Sequence, residues 1–174
     1  SGADTFFNIT TPKFAAQAIK KAAEIGWKPT HYLNSVSNAA GAVMVPAGAD
    51  NGVGVISAFY LKDPTDPQWQ NTPEYKEWLA FMQKWHPQGD LKDNFNVYGY
   101  TVAQSLAEVL KKAGDNLTRE NVMRQAANLD MNLPMLLPGV NIKTAPDDFF
   151  PIERMQLGRW DGKTWVMFGK AMGR

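Results

Sequence analysis

The sequence predicts an α/β protein organised on a doubly wound parallel sheet, and three observations carry that expectation. Residues 3–9 read as a strand, residues 12–25 as a helix and residues 31–34 as a second strand, the order of a right-handed βαβ unit whose strands run parallel. The helix carries a stripe of small apolar residues, so it can lie close on a sheet. Residues 52–60 are β-branched and mostly apolar, the composition of a strand covered on both faces.

The first helix has clear ends. Thr11 stands at the N-cap position and Pro12 at the first helical position, where a missing N–H costs nothing. Gly26 stands just past the last turn, where a positive φ is favoured, and Lys20 and Lys21 approach the negative end of the helix dipole. Phe14, Ala15, Ala18, Ile19, Ala22 and Ala23 recur at helical spacing and are predicted to face inward. Residues 35–50 predict a loop with a short helix over 39–45, stopped by Pro46 and Gly48. Gly52 and Gly54 make no dinucleotide fingerprint, because a strand follows where a helix should open.

Residues 61–71 are punctuated by Pro64 and Pro67, which exclude both helix and central strand and mark a hinge. A helix over 73–85 follows, with Thr72 at its N-cap and Tyr75, Trp78, Leu79, Met82 and Trp85 inward. That aromatic stripe has the spacing of a buried face. The next helix spans 95–113, with Val102, Ala103, Leu106, Val109, Leu110 and Ala113 inward, and Thr118 caps another that ends near Leu129. Residues 132–142 are irregular and apolar, a surface that something must cover. Residues 154–160 and 163–168 flank Asp161-Gly162, a dipeptide suited to a type I′ hairpin turn.

Composition excludes several classes of function. Eighteen basic and seventeen acidic side chains leave a net charge of +1, with no basic stripe, so nucleic acid is set aside as a partner. No apolar run approaches the ~20 residues of a membrane span. Cysteine is absent, which removes disulfides, thiol catalysis and thiolate metal sites. His31 and His86 have no metal-ligand spacing and no triad arrangement, and read as surface or capping residues. Asp63 with Asp66, and Asp147 with Asp148, sit among prolines in loops, where solvated turn chemistry explains them. No catalytic constellation emerges, and neither a cofactor nor a metal site is expected. A chain that enters its first strand so abruptly is expected to be a piece of a longer one.

The strand ends stand apart. Asn8, Thr10 and Thr11 follow the first strand, and Ser35, Val36 and Ser37 follow Asn34 at the end of the second. These are mostly short, neutral hydrogen-bonding side chains. Beside the free N–H groups of a helix N-terminus, they predict a site for an anion or carboxylate that needs no cation.

The runs GADTFFNITTPKFAAQAIKKAAEIGWKPTHYLNS, GVGVISAFYLKDPTDPQW, YGYTVAQSLAEVL and MQLGRWDGKTW together resemble the C-terminal half of a type I periplasmic solute-binding protein, of the branched-chain amino acid class that feeds ABC importers. The resemblance implies two doubly wound lobes joined by three crossovers, with ligand held between them. Residues 1–60 and 149–174 would then belong to the second lobe, and 61–148 to the hinge and to helices of the first. It implies a periplasmic, non-enzymatic protein that hands a small molecule to a membrane permease. With most of the first lobe missing, the cleft would be incomplete, and the resemblance implies that the isolated fragment either pairs with another copy of itself or binds ligand poorly. The loops at Asn8–Thr11 and Ser35–Ser37 match ligand contacts of the second lobe, and Tyr98 or Tyr100 matches an aromatic contact from the first. One departure matters: amino-acid binders of this class place an acid in the second loop to pair the ligand ammonium, and residues 34–37 contain none. A carboxylate with an apolar or aromatic body, against Val36, Phe59 and Tyr98, fits better than an α-amino acid. The rival expectations are an amino-acid binder or a ligand-sensing receptor domain of the same fold; a small α/β hydrolase or transferase lacks a nucleophile and base.

Overall fold

Strand β1 (Thr5–Asn8), helix α1 (Pro12–Glu24) and strand β2 (Thr30–Leu33) form the expected βαβ unit in the computed structural model, which describes residues 2–173. β1 and β2 run parallel, with Thr5 beside Thr30 and Asn8 beside Leu33. Gly26, at φ +68°, turns the chain out of the helix. Ala15, Ala16, Ile19 and Ala22 are the residues α1 buries. Phe14 and Ala23, expected inward, are exposed, because the buried stripe is turned one position toward Ala16. A 3-10 turn (Ser35–Ser37), a π-helical turn (Ala40–Met44) and the short α2 (Val45–Ala47) replace the single predicted helix, and Gly48 at φ +83° ends the run. Strand β3 (Ile56–Phe59) then lies parallel to β2.

The chain next leaves the sheet for α3 (Pro67–Gln70), α4 (Pro73–Trp85), α5 (Asn94–Ala113) and α6 (Arg119–Ala126). The one-turn α3 corrects the expectation that two prolines exclude helix. Pro67 occupies its first position and Asp66 caps it, accepting from the Gln68 N–H at 3.0 Å. A small antiparallel pair, β4 (Asp130–Met131) and β5 (Ile142–Lys143), stands where irregular chain was expected.

Strands β6 (Met155–Trp160) and β7 (Trp165–Met172) complete a mixed sheet of order β1-β2-β3-β6-β7, with β6 antiparallel to β3. The hairpin is as predicted, but its turn is not type I′. Trp160 pairs with Trp165, leaving four residues in the loop, and only Gly162 has a positive φ. The Asp161 carboxylate organises that loop, accepting from the N–H groups of Lys163 and Thr164, each at 2.8 Å.

The larger core lies between one face of the sheet and α1, where Ile19, Leu33, Val43, Met44, Phe59 and Trp160 pack. A second core joins Trp78 and Met82 of α4 to Val97 and Tyr100 of α5 and to Met135. The apolar run around Met135 therefore needs no foreign cover: Leu133, Leu136, Leu137 and Val140 are buried in the first core. It runs beside the segment leaving β3, with the Leu137 N–H donating to Tyr60 O at 2.8 Å and the Lys62 N–H to Met135 O at 2.9 Å. On α5 only Val109 and Ala113 of the six predicted positions are buried. Val102, Ala103, Leu106 and Leu110 are exposed. Trp85 of α4 is likewise exposed. The opposite sheet face presents Phe7 and Tyr32, stacked with centroids 5.0 Å apart, to solvent.

Candidate functional site

The loops that follow β1 and β2 are laced together at the sheet's C-terminal rim. Thr10 Oγ1 donates to Asn8 Oδ1 at 2.6 Å, and the Asn8 amide donates to His31 Nε2 at 3.2 Å. The Thr10 carbonyl accepts from Asn34 Nδ2 at 3.2 Å and from the Ser37 hydroxyl. Asn38 extends the network, donating to Ser57 Oγ and to Ala58 O at 3.1 and 3.0 Å, while its carbonyl accepts from the Trp165 indole at 2.8 Å. Three of the predicted contacts, Asn8, Thr10 and Ser37, thus spend their side-chain polar groups inside the protein. Thr11 sits at the α1 N-cap with its hydroxyl making no capping bond.

Beside this rim opens a cavity of about 340 Å³, between the 3-10 turn, the end of β3 and the start of α5. Four of the predicted residues meet in it: Ser35, Val36, Phe59 and Tyr98. Asn8, Thr10, Thr11, Ser37 and Tyr100 do not line it. Tyr100 turns into the second core, 5.0 Å from the Phe81 ring, and its hydroxyl lies 3.3 Å from Glu77 Oε1. Burial, with Glu77 beside it, raises the Tyr100 phenol above its ordinary pKa.

Sequence reasoning missed Asn38, Tyr60, Asn94 and Phe95, which also line the cavity. Residues 94 and 95 lie far from the first two strands in the chain, and only the fold of α5 beside the sheet reveals them. The lining carries no charged side chain. Its polar groups are the Ser35, Tyr60 and Tyr98 hydroxyls and the Asn38 and Asn94 amides. Of these, Ser35, Tyr60, Asn94 and Tyr98 make no side-chain hydrogen bond among the described residues, and Asn94 Oδ1 is shut off from water with nothing to accept from. Burial first, and the neighbouring Tyr98 second, raise the Tyr60 phenol, so it is a neutral donor at physiological pH.

Two expectations for titratable residues are corrected here. His31 is buried rather than superficial, with its ring centroid 4.5 Å from that of Phe6, and desolvation lowers its pKa from 6.5 to about 4. It is a neutral partner of Asn8. Asp63 and Asp66 do perform turn chemistry, but they are buried, not solvated. Asp63 Oδ1 accepts from Thr65 N and Oγ1 at 2.8 and 2.7 Å, and desolvation raises its pKa. Among the described residues no group of three or more His, Asp or Glu is placed to hold a metal, and no helix is long and apolar enough to cross a membrane.

A family model described as periplasmic binding protein matches residues 1–164. The chain belongs to the periplasmic binding protein family. Its relatives in fold include a branched-chain amino acid ABC transporter protein from Thermus thermophilus with bound valine, at a TM-score of 0.81 and 17% identity over 99% of this chain and 47% of that one. A substrate-binding protein of an ABC transporter from Aeropyrum pernix gives a TM-score of 0.76 at 11% identity, covering 98% of this chain and 45% of that one. An extracellular ligand-binding receptor from Rhodopseudomonas palustris HaA2 gives 0.70 at 16% identity, covering 95% and 48%. This periplasmic binding protein chain therefore spans about half the length of these relatives. No curated protein matches it.

Proposed function

We propose that this chain is the ligand-holding part of a non-enzymatic solute-binding protein of an ABC importer, acting in the periplasm and capturing a small organic acid with an apolar or aromatic body. The observation that supports this reading is the neutral cavity: apolar walls from Val36, Phe59 and Phe95, with uncharged hydrogen-bonding groups and no carboxylate. Its volume suits a small ligand. Ser35 Oγ, free of internal partners, would donate to a carboxylate, and the aromatic walls would take the body. The Thermus relative carries valine, but an α-ammonium desolvated here would meet no anion, at a cost of several kcal/mol.

The cavity lies between the sheet rim and α5, and residues 1–60 with 149–174 form one proposed lobe, residues 61–148 the hinge and the face of the other. Ligand that touches both sides favours the closed arrangement by population shift, and the closed form would dock on the membrane permease. A thermal-shift panel on the full-length protein tests the reading, setting benzoate, cinnamate and hexanoate against leucine and valine. Benzoate or cinnamate at a hundred times Kd should stabilise by about 2.7 kcal/mol. Stabilisation by leucine and valine alone would overturn the acid assignment in favour of an amino-acid binder.

A further inference from the structure

Asn94 is an anomaly in the cavity. It is the first residue of α5, it lines the cavity, and its side-chain amide makes no hydrogen bond among the described residues, with Oδ1 hidden from water. A buried carbonyl oxygen left unsatisfied destabilises the protein that carries it. The helix gains nothing from it, because Asp93 already caps α5 by accepting from the Phe95 N–H at 2.9 Å. Two phenols stand in the same wall. Tyr98 lies close enough to help raise the Tyr60 phenol, and neither hydroxyl has a partner among the described residues. One amide and two phenols thus line the cavity from the end of β3 and the start of α5, and Ser35 lines it from the turn after β2.

We propose that Asn94, which lines the cavity together with Tyr60 and Tyr98, is its specificity-determining residue, and that it selects acids bearing a hydroxyl group remote from the carboxylate. The inference rests on the organic-acid reading above and sharpens it. The terminal torsion of an Asn side chain is broad, so a small rotation turns Oδ1 toward the cavity to accept from the ligand O–H. The phenols then donate to the ligand oxygen. Every group in the cluster is neutral, so a hydroxyl fits it where an ammonium would remain unpaired. A site built to bond a hydroxyl rejects the analogue without one, since its own polar groups then stay unpaired.

Calorimetric titration of the full-length protein with matched pairs, 4-hydroxybenzoate against benzoate and 4-hydroxycinnamate against cinnamate, tests this. The hydroxylated member should bind about 10- to 100-fold more tightly. Asn94→Ala should lower that ratio to near one, and Tyr60→Phe should lower it partly, each with an apo melting temperature close to that of the parent. Equal affinity within each pair, or a ratio unchanged in Asn94→Ala, would overturn the assignment while leaving the organic-acid reading intact. Binding of leucine with no binding of any acid would overturn both.

Discussion

His31 shows how a residue acquires its role from placement. Its imidazole is enclosed by Phe6 and bonded by Asn8, so it is held neutral with a pKa near 4 against an ordinary 6.5. The sign of the consequence is fixed by linkage. A depressed folded pKa means that the unfolded chain binds the proton first, so stability is fully present above pH 6.5 and is lost as pH falls toward 4. Urea unfolding across pH 4–8 should show this decline, and His31→Gln should flatten it; an equal decline in the variant would assign the pH dependence to other groups. The identities of Asn8, Thr10, Ser35 and Ser37 at the strand ends were legible in the sequence. Which of them line the cavity was not, because Asn8, Thr10 and Ser37 find partners 20 or more residues apart in the chain. Asn94 and Tyr60 were illegible for the same reason in reverse, since an isolated amide or phenol in a sequence gives no sign that it will lack a partner.

At the scale of elements, capping decides how firmly the cavity wall is held. Asp93, Thr118, Thr72 and Asp66 each accept a backbone N–H at the start of a helix. α5 begins at Asn94 and continues through Phe95 and Tyr98, so its first turn is also the cavity wall. Asp93→Ala should cost about 1 kcal/mol of stability and weaken acid binding as well. Thr118→Ala, at the start of α6 and away from the cavity, should cost a similar amount and leave binding unchanged. Denaturant unfolding paired with titration of each variant separates the two, and equal effects on binding would contradict the wall's dependence on its cap. Helix ends were legible wherever a Thr-Pro pair or a glycine marked them, as at Thr11-Pro12, Thr72-Pro73 and Gly114. The inward faces of α1 and α5 were not. Periodicity allows several neighbouring stripes, and the packing partner chooses among them, which is why Phe14, Val102 and Leu106 face outward.

For the molecule as a whole, the βαβ unit, the third strand and the closing hairpin were read correctly from periodicity and turn residues. The antiparallel return of β6 onto β3, and the pairing of residues 60–62 with 135–137, are long-range contacts that no local pattern encodes. These contacts set the sheet rim against α5 and so create the neutral cavity, whose chemistry carries the central claim that the guest is an anion without a cationic group. Introducing one charge tests it. Val36 lines the cavity and is half exposed, so Val36→Asp leaves the cores untouched. Titration of this variant with benzoate and leucine should show benzoate binding weakened by at least ~10-fold, as expected for a carboxylate brought against a like charge in a poorly solvated site. Unchanged benzoate affinity, or leucine binding that strengthens in the variant from a level already measurable in the parent, would contradict the account.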